Sequence, residues 1–485
     1  MKEIPDWALK YKQKGTQIIQ IKGNLYLYKV TSKWNSQKNR AQKKTEKYLG
    51  KLTPEGLVKP RHERMLERIK RAAVKEYGAS FFLKNISEDI INLLREHFSN
   101  EWKELFVFAA MRLLRNTQIK NLEFHYQTSY LSELLPGANV SDRHVGEMLR
   151  EVGVDRERIT RFLRNFILAG EYAAIDITHI FSLSEGIISS VLGHNGKGEY
   201  LPQVNLLYLF SVERQLPSYF RMLAGSVTSV SSLKLTMKES GASNVVLVGD
   251  KGFYSAGNVS ELEAAGIRYA LPLRRDSRLI DYDKLKRGDM RAFGHFMFEG
   301  RPIWYYSHST GEAKGRRVFV FLDRALLAEE EKDFLARVSD GGADGGKEER
   351  MALFYEQAHR LGTMAVLTDL DVEGGRVYEL LKSRVGIEQS FDAFKNTLHA
   401  DRTYMRDDYQ LEGWMLVCFV ALLLYYRIYN LLSENSLLKK YSPSDVLLHL
   451  SRLHKIRIED QWVTSEIPKK TRALIDKLKI PIPIT

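Results

Sequence analysis

The stretch from Tyr172 to Leu273 constrains the fold of this chain most. Three apolar strand patterns follow one another on short connections: YAAIDIT, VNLLYLFSV and, after a Gln215-Leu216-Pro217 turn, SYFRMLAG. Apolar runs of this length, bounded by turn residues, read as buried strands, and short connections pair them antiparallel. A helix over Ser226–Ser240, ended by Gly241, then leads to the strand Asn244–Gly249, a helix over Gly257–Ala265 and the strand IRYALPL. The order βββαβαβ predicts an α/β sheet with mixed strand directions.

The flanking segments have other textures. Residues 276–362 interrupt the core with a strand pair (GHFMFEGRPIWYYS), the strand RRVFVFLD, a charged helix and the loop SDGGADGGKEE, and read as an inserted β-rich subdomain. MAVLTDL and a long helix from about Val377 resume the core. Upstream, Gln17 to Val30 alternates as a short hairpin with Gly23-Asn24 as its turn. From 61 to 169 the pattern is all-helical, with Trp102, Leu105, Phe106, Ala109, Leu113 and Leu114 on one face. Within it, Leu131 to Leu135, a Pro-Gly-Ala-Asn turn, Ser141 as N-cap and a helix carrying Arg143, His144 and Arg150 fit a helix-turn-helix reader. Two packed helices with a polar outer face give the same pattern. Six segments result: a basic arm (1–60), a helical DNA-binding region (61–169), a core in two parts (170–275 and 363–435), the insertion (276–362) and a C-terminal helical region (436–485), a candidate dimerisation element.

The single cysteine, Cys418, excludes a disulfide framework and a thiolate zinc cluster, and points to a reducing cytosol. No two of the 12 histidines stand three or four apart, so a metal here must sit on carboxylates. The N-terminus lacks the apolar stretch of a signal peptide, and the longest apolar run, Trp414 to Tyr426, is shorter than a bilayer-spanning segment. The net charge is +13, and residues 1–60 hold 14 basic against 4 acidic side chains, so +10 of it lies in this arm. Such a concentration marks a polyanion-binding segment, most simply for nucleic acid, although a solvated face has the same composition. Trp34, Tyr26, Tyr28 and Tyr48 lie among the lysines and can either stack on bases or pack a core.

Gly341 to Lys347 satisfies G-x4-G-K, but Glu348 stands where a phosphate loop needs Ser or Thr, so no nucleotide cofactor is expected. Asp176 sits inside an apolar strand and Asp250 at the end of another. A carboxylate there is costly unless paired or bound to a cation, and two converging carboxylates ask for a divalent metal. The alternative is that each caps a helix or pairs with a basic residue. On the late helix, Arg384, Glu388, Phe391 and Lys395 recur at spacings that place all four along one stripe.

Taken in order, these motifs are specific. Asp176 in a first strand, Asp250-Lys251-Gly252-Phe253 after a later one, and Arg384-x3-Glu388-x6-Lys395 on a helix resemble the DDE transposases of bacterial insertion sequences, in the branch with a Tyr-x2-Arg-x3-Glu-x6-Lys signature. The signature tyrosine would stand at 381, where this chain has Leu381, with Tyr378 one turn earlier. The resemblance implies a ribonuclease H-like mixed sheet with a β-rich insertion, behind the basic strand arm and the helical region. It implies that Asp176, Asp250 and Glu388 hold two Mg2+ (or Mn2+) ions for phosphoryl transfer, and that Arg384, Lys395 and Lys251 contact DNA phosphates. Trp304 of the insertion would stack on a flipped base if excision passes through a hairpin. The implied function is a cut-and-paste transposase that binds terminal inverted repeats and target DNA as a nucleoid-associated homodimer. A nuclease without strand transfer, or an inactive DNA-binding regulator derived from a transposase, are the alternatives.

Overall fold

In the computed structural model, which describes residues 4–35, 39–61, 63–64, 72–194, 200–224, 230–242, 244–249, 254–288, 290–310, 315–340 and 347–483, the chain forms two compact units. The larger comprises 77–452 and 468–482, and the smaller comprises 1–76, 453–467 and 483–485.

The larger unit is built on an eleven-stranded sheet of described residues. Its strands are β1 (Tyr172–Ser182), β2 (Val191–His194), β3 (Tyr200–Ser211), β4 (Leu216–Leu223), β5 (Asn244–Val248), β6 (Arg268–Leu273), β7 (Gly294–Phe298), β8 (Arg301–Ser309), β9 (Arg317–Asp323), β10 (Thr363–Thr368) and β11 (Arg402–Thr403). They run in the order β7-β8-β9-β10-β6-β5-β1-β3-β2, with β4 also on β3 and β11 also on β1. The meander β1-β3-β4 is antiparallel as expected, and β2 is a short extra strand. β5 then lies parallel to β1, with Leu247 opposite Ile175, and β6 lies parallel to β5. The crossovers are the helices α1 (Val230–Ser240) and α2 (Ala256–Ala265). Ser255 caps α2 by accepting from the Asn258 N–H at 3.1 Å, and Gly266 ends it at φ 69°, a left-handed conformation that glycine adopts without Cβ strain. β3 is buried on both faces from Val204 to Ser211, which is why its sequence is a continuous apolar run instead of an alternating one.

The insertion departs from expectation. β7, β8 and β9 do not form a subdomain set apart from the core: β9 pairs antiparallel with β10, Val318 opposite Leu367, and β10 pairs with β6, so the sheet runs through. β10 is buried on both faces and needs a partner on each edge; β6 of the core supplies one and β9 of the insertion the other. Around the sheet lie α3 (Arg324–Asp340), α4 (Gly374–Asp392) and α5 (Asp408–Glu434). The 27 residues of α5 are long and apolar enough to cross a membrane, unlike the shorter run read from sequence; 72% of its most apolar window is buried inside the protein, as befits a central core helix.

Helix 142–154, the candidate recognition helix, buries Val145, Met148, Leu149 and Val152 and crosses α5 at glycine contacts. A Cβ on Gly153 would fall 1.8 Å from the Tyr409 carbonyl oxygen, and one on Gly413 would fall 2.0 Å from that of Leu149. Its outer face is ion-paired, Arg143 with Glu147 at 2.9 Å and Arg150 with Asp407 at 3.5 Å. These contacts fit the packed-helix alternative.

In the smaller unit, strands 16–21, 24–35, 40–53 and 56–58 form a four-stranded sheet over a core of Ala8, Ile18, Leu25, Leu27 and Leu52. The first hairpin forms as expected, but its turn residues are Lys22 and Gly23, both at positive φ, one residue before the expected pair. A second sheet corrects two expectations: Ala73–Glu76, in the stretch read as all-helical, pairs with His454–Ile458, which pairs with Gln461–Thr464 in the stretch read as C-terminal helix. These strands are short, and Ala73–Glu76 and His454–Ile458 lie far apart in sequence, so periodicity alone does not reveal them.

Candidate active site

Asp176 lies midway along β1, half-buried, with one carboxylate oxygen accepting from the Ile177 N–H at 2.8 Å. Its strand is apolar because it is central, and Asp176 stands where one side of that strand loses its partner. β5 pairs with β1 only as far as Ile175, and β11 joins the same side of β1 only at Phe181. Between them the sheet opens at Asp176.

Across β1 and β3, Asp176 stands opposite Tyr208, so the two side chains share a face. The Tyr208 ring is buried, and burial holds its hydroxyl far above the usual phenol range, neutral at any working pH. That ring packs on Phe391 of α4, centroids 5.7 Å apart. Phe391 is one helical turn beyond Glu388, so α4 carries Glu388 to the face that holds Asp176.

The approach of α4 is set by Gly386. A Cβ there would meet Gln215 Oε1 at 2.9 Å and the Phe210 ring at 3.2 Å, and its carbonyl accepts from the Tyr426 hydroxyl at 3.3 Å. Upstream, Tyr378 is fully buried against Phe296, Phe298 and Phe321 of β7 and β9, and its hydroxyl is pushed up to about 12 by that burial. Tyr378 is therefore a core residue that seats α4 on the insertion strands. Leu381, where the sequence resemblance expects a tyrosine, is half-buried.

Arg384 pairs with Glu388 at 2.9 Å, as the four-residue spacing requires, with side chains 26% and 55% exposed. A plain surface pair would end there. Arg384 Nη1 also donates to the Gly249 carbonyl at 3.4 Å, the residue after β5 and immediately before Asp250. Asp250 and Lys251 themselves lie outside the described residues, as does the loop 341–346. Among the described residues no three acidic, histidine or cysteine side chains form a metal-binding group.

Beyond Asp392 the helix widens into a π-turn over Ala393–Thr397, closed by the Leu398 N–H on the Ala393 carbonyl at 2.9 Å. Lys395 sits in this turn, half-buried, so it leaves the straight α-helical stripe that spacing alone predicts. Arg112 fixes the chain just past it. Buried in helix 102–115, its guanidinium donates to the carbonyls of Leu398, of Thr117 at 3.3 Å and of His399 at 3.5 Å, and lies over the Trp414 ring. Sequence reasoning passed over Arg112, Tyr208 and Gly386. For two of them the signals were present: one arginine inside the apolar run LFVFAAMRLL, and one glycine inside a helix.

Trp304 is half-exposed on β8, its ring 5.2 Å from that of His295 and 6.0 Å from the Arg324 guanidinium of α3. Tyr306 on the same strand is buried, and Tyr305 packs on Phe296, Phe319 and Phe321. Unlike Tyr305, Trp304 makes its ring contact with His295 instead of Phe296, Phe319 or Phe321.

A family model described as a transposase DDE domain matches residues 185–424. The span begins beyond Asp176 and contains Asp250, Arg384, Glu388 and Lys395. No curated protein sequence matches the chain. Among solved structures, the chain is similar to a piggyBac transposase in a synaptic complex with hairpin DNA, determined by cryo-electron microscopy, at 11% identity and a TM-score of 0.36 over 72% of this chain and 70% of that one.

Proposed function

We propose that this chain is a DDE transposase whose acidic residues are Asp176, Asp250 and Glu388. The observation that carries the reading is the reach of Arg384: from the helix that bears Glu388 it bonds the backbone next to Asp250, at the strand end beside Asp176. The match of residues 185–424 to the transposase DDE domain supports the same assignment. The strand order β4-β3-β1-β5-β6, an antiparallel meander followed by two parallel strands, supports a ribonuclease H-like core.

The donor chemistry fits two Mg2+ or Mn2+ ions, since these ions take hard carboxylate oxygens and Asp176 is a half-buried carboxylate in an otherwise apolar strand. When bound, such ions supply charge neutralisation at the scissile phosphate and activation of the attacking oxygen. The chain's own residues do the rest. Gly386 and Tyr208 set the depth of α4 against the sheet, and Arg384 holds Glu388 in register with the end of β5. Lys395 and Lys251 are positioned in sequence to hold phosphates, and Trp304 is the insertion's candidate for stacking on an unpaired base. On this reading the chain binds terminal inverted repeats and target DNA as a nucleoid-associated homodimer, and excises its element by cut-and-paste.

The test uses the purified full chain, Mg2+ and a plasmid carrying its gene with native flanking DNA. Breaks at two inverted-repeat boundaries, followed by joining of the released ends to target DNA, are expected. Boundary-specific cleavage without joining would favour the nuclease reading, and binding without any cleavage would favour the regulator.

A further inference from the structure

The outer half of the ribbon formed by strands 24–35 and 40–53 stands mostly in solvent. Thr31 pairs with Lys44, Ser32 with Lys43, Lys33 with Gln42 and Trp34 with Ala41, in unbroken antiparallel register beyond the last irregularity at Lys29/Val30. Residues 31–34 and 40–45 are exposed except for Gln42, which is half-buried and has an interaction within the protein, so most of both faces of this ribbon stands in water. A two-stranded ribbon with its faces largely in water gains little from packing, so its exposed side chains are available to a partner.

Its charge says which partner. Nearer the core, ribbon lysines are matched: Lys29 pairs with Glu46 at 3.0 Å and Lys47 with Glu63 at 2.7 Å. Among the described residues no acidic side chain pairs with Lys33, Arg40, Lys43 or Lys44. The register also sorts the two faces. Thr31, Lys33, Arg40, Gln42 and Lys44 share one, whereas Ser32, Trp34, Ala41 and Lys43 share the other. The first face joins three cations to a carboxamide and a hydroxyl, the groups that bind guanine and adenine edges. Trp34, 66% exposed, stands on the opposite face.

We propose that this outer ribbon lies in the major groove of duplex DNA and reads sequence with the face that bears Lys33, Arg40 and Gln42. A two-stranded ribbon fits a groove about 12 Å wide. Five residues at about 3.3 Å each span roughly 16 Å, the rise of about five base pairs. Lys43, on the far face, reaches the phosphates of the groove wall. The proposal rests on the transposase reading and adds to it the element that recognises the DNA ends.

The experiment selects binding sites for the full chain from a pool of duplexes with a randomised centre, then repeats the selection with Arg40→Ala, Gln42→Ala and Trp34→Ala. The wild type should select a consensus whose guanines, when methylated at N7 in the major groove, block binding. Arg40→Ala and Gln42→Ala should each relax one or two adjacent positions by about tenfold or more, and Trp34→Ala should leave the consensus unchanged. An unchanged consensus in both Arg40→Ala and Gln42→Ala would overturn the proposal, and so would a wild type that binds every duplex equally yet still cleaves DNA. The transposase reading survives both of those results. It fails with the proposal only if the wild type binds no duplex DNA at all.

Discussion

Replacing Arg384 by alanine separates a surface ion pair from a contact that organises the site. Its bond to Glu388 is an exposed i,i+4 pair, which contributes about 0.3–0.5 kcal/mol. The long bond to the Gly249 carbonyl adds no more than about 1 kcal/mol. Arg384→Ala should therefore cost roughly 1–1.5 kcal/mol, and in a unit of this size the melting temperature should fall by no more than about 3 °C. Binding to duplex DNA should weaken by less than about tenfold, and the slope of log K against log salt should fall by about 0.9 if one phosphate contact is lost. Cleavage should suffer more, because Arg384 holds the Glu388 helix to the strand end beside Asp250. A misplacement of about 1 Å costs roughly 100-fold in rate. Single-turnover cleavage at saturating DNA, measured beside thermal melting, separates these effects. Cleavage at near wild-type rate once DNA is saturating would refute the reasoning and reduce Arg384 to a phosphate contact. A fall in melting temperature above 10 °C would make it a structural residue.

Other expectations follow from particular contacts. Gly153→Ala drives a methyl group into the Tyr409 carbonyl, and since backbone meets backbone there, it should destabilise the larger unit by about 3 kcal/mol in chemical denaturation. Cys418 is buried in α5 and its thiol is pushed up to about 12, so at pH 8 it should resist a thiol reagent until the chain is unfolded; labelling of the native protein would contradict the placement of α5. Trp304→Ala should leave the first nick intact and block any hairpin step if the ring stacks on a base, whereas loss of melting temperature together with every DNA step would make it a packing residue. Replacing Lys43 and Lys44 by alanine should flatten the salt dependence of DNA binding by roughly 0.9 per lost phosphate contact, and an unchanged slope would return the ribbon to a solvated face.

The middle of the sheet was legible because strands such as β3 and β10 are buried on both faces and therefore written as apolar runs. β1, β3 and β4 appear in their expected places, and Asp176 stands out because it breaks such a run. Turn chemistry located the first hairpin but missed its turn by one residue, since Lys22 takes a positive φ that sequence would assign to Asn24. What stayed hidden depends on partners distant in the chain. Nothing local in residues 294–323 says whether the insertion closes on itself or extends the core sheet, and the pairing of Ala73–Glu76 with His454–Ile458 depends on chain closure over most of the molecule. The π-turn at Lys395 is a backbone hydrogen-bond pattern with no composition of its own, so a strict 3.6-residue period carried the stripe too far. Of the candidate site, the helix pair Arg384–Glu388 was legible from spacing, but its reach to Gly249 required the sheet.

The most direct test of the account compares cleavage and binding in three conservative variants of the full chain, Asp176→Asn, Asp250→Asn and Glu388→Gln, on duplexes carrying the element's ends with Mg2+ present. Each variant keeps the size of its side chain and removes a negative charge, so metal-dependent cleavage should vanish. Affinity for the ends, which basic residues dominate, should stay within a few-fold of wild type. Near wild-type cleavage in any one of the three would contradict the assignment of that residue, and with it the claim that these acids form one metal-binding site.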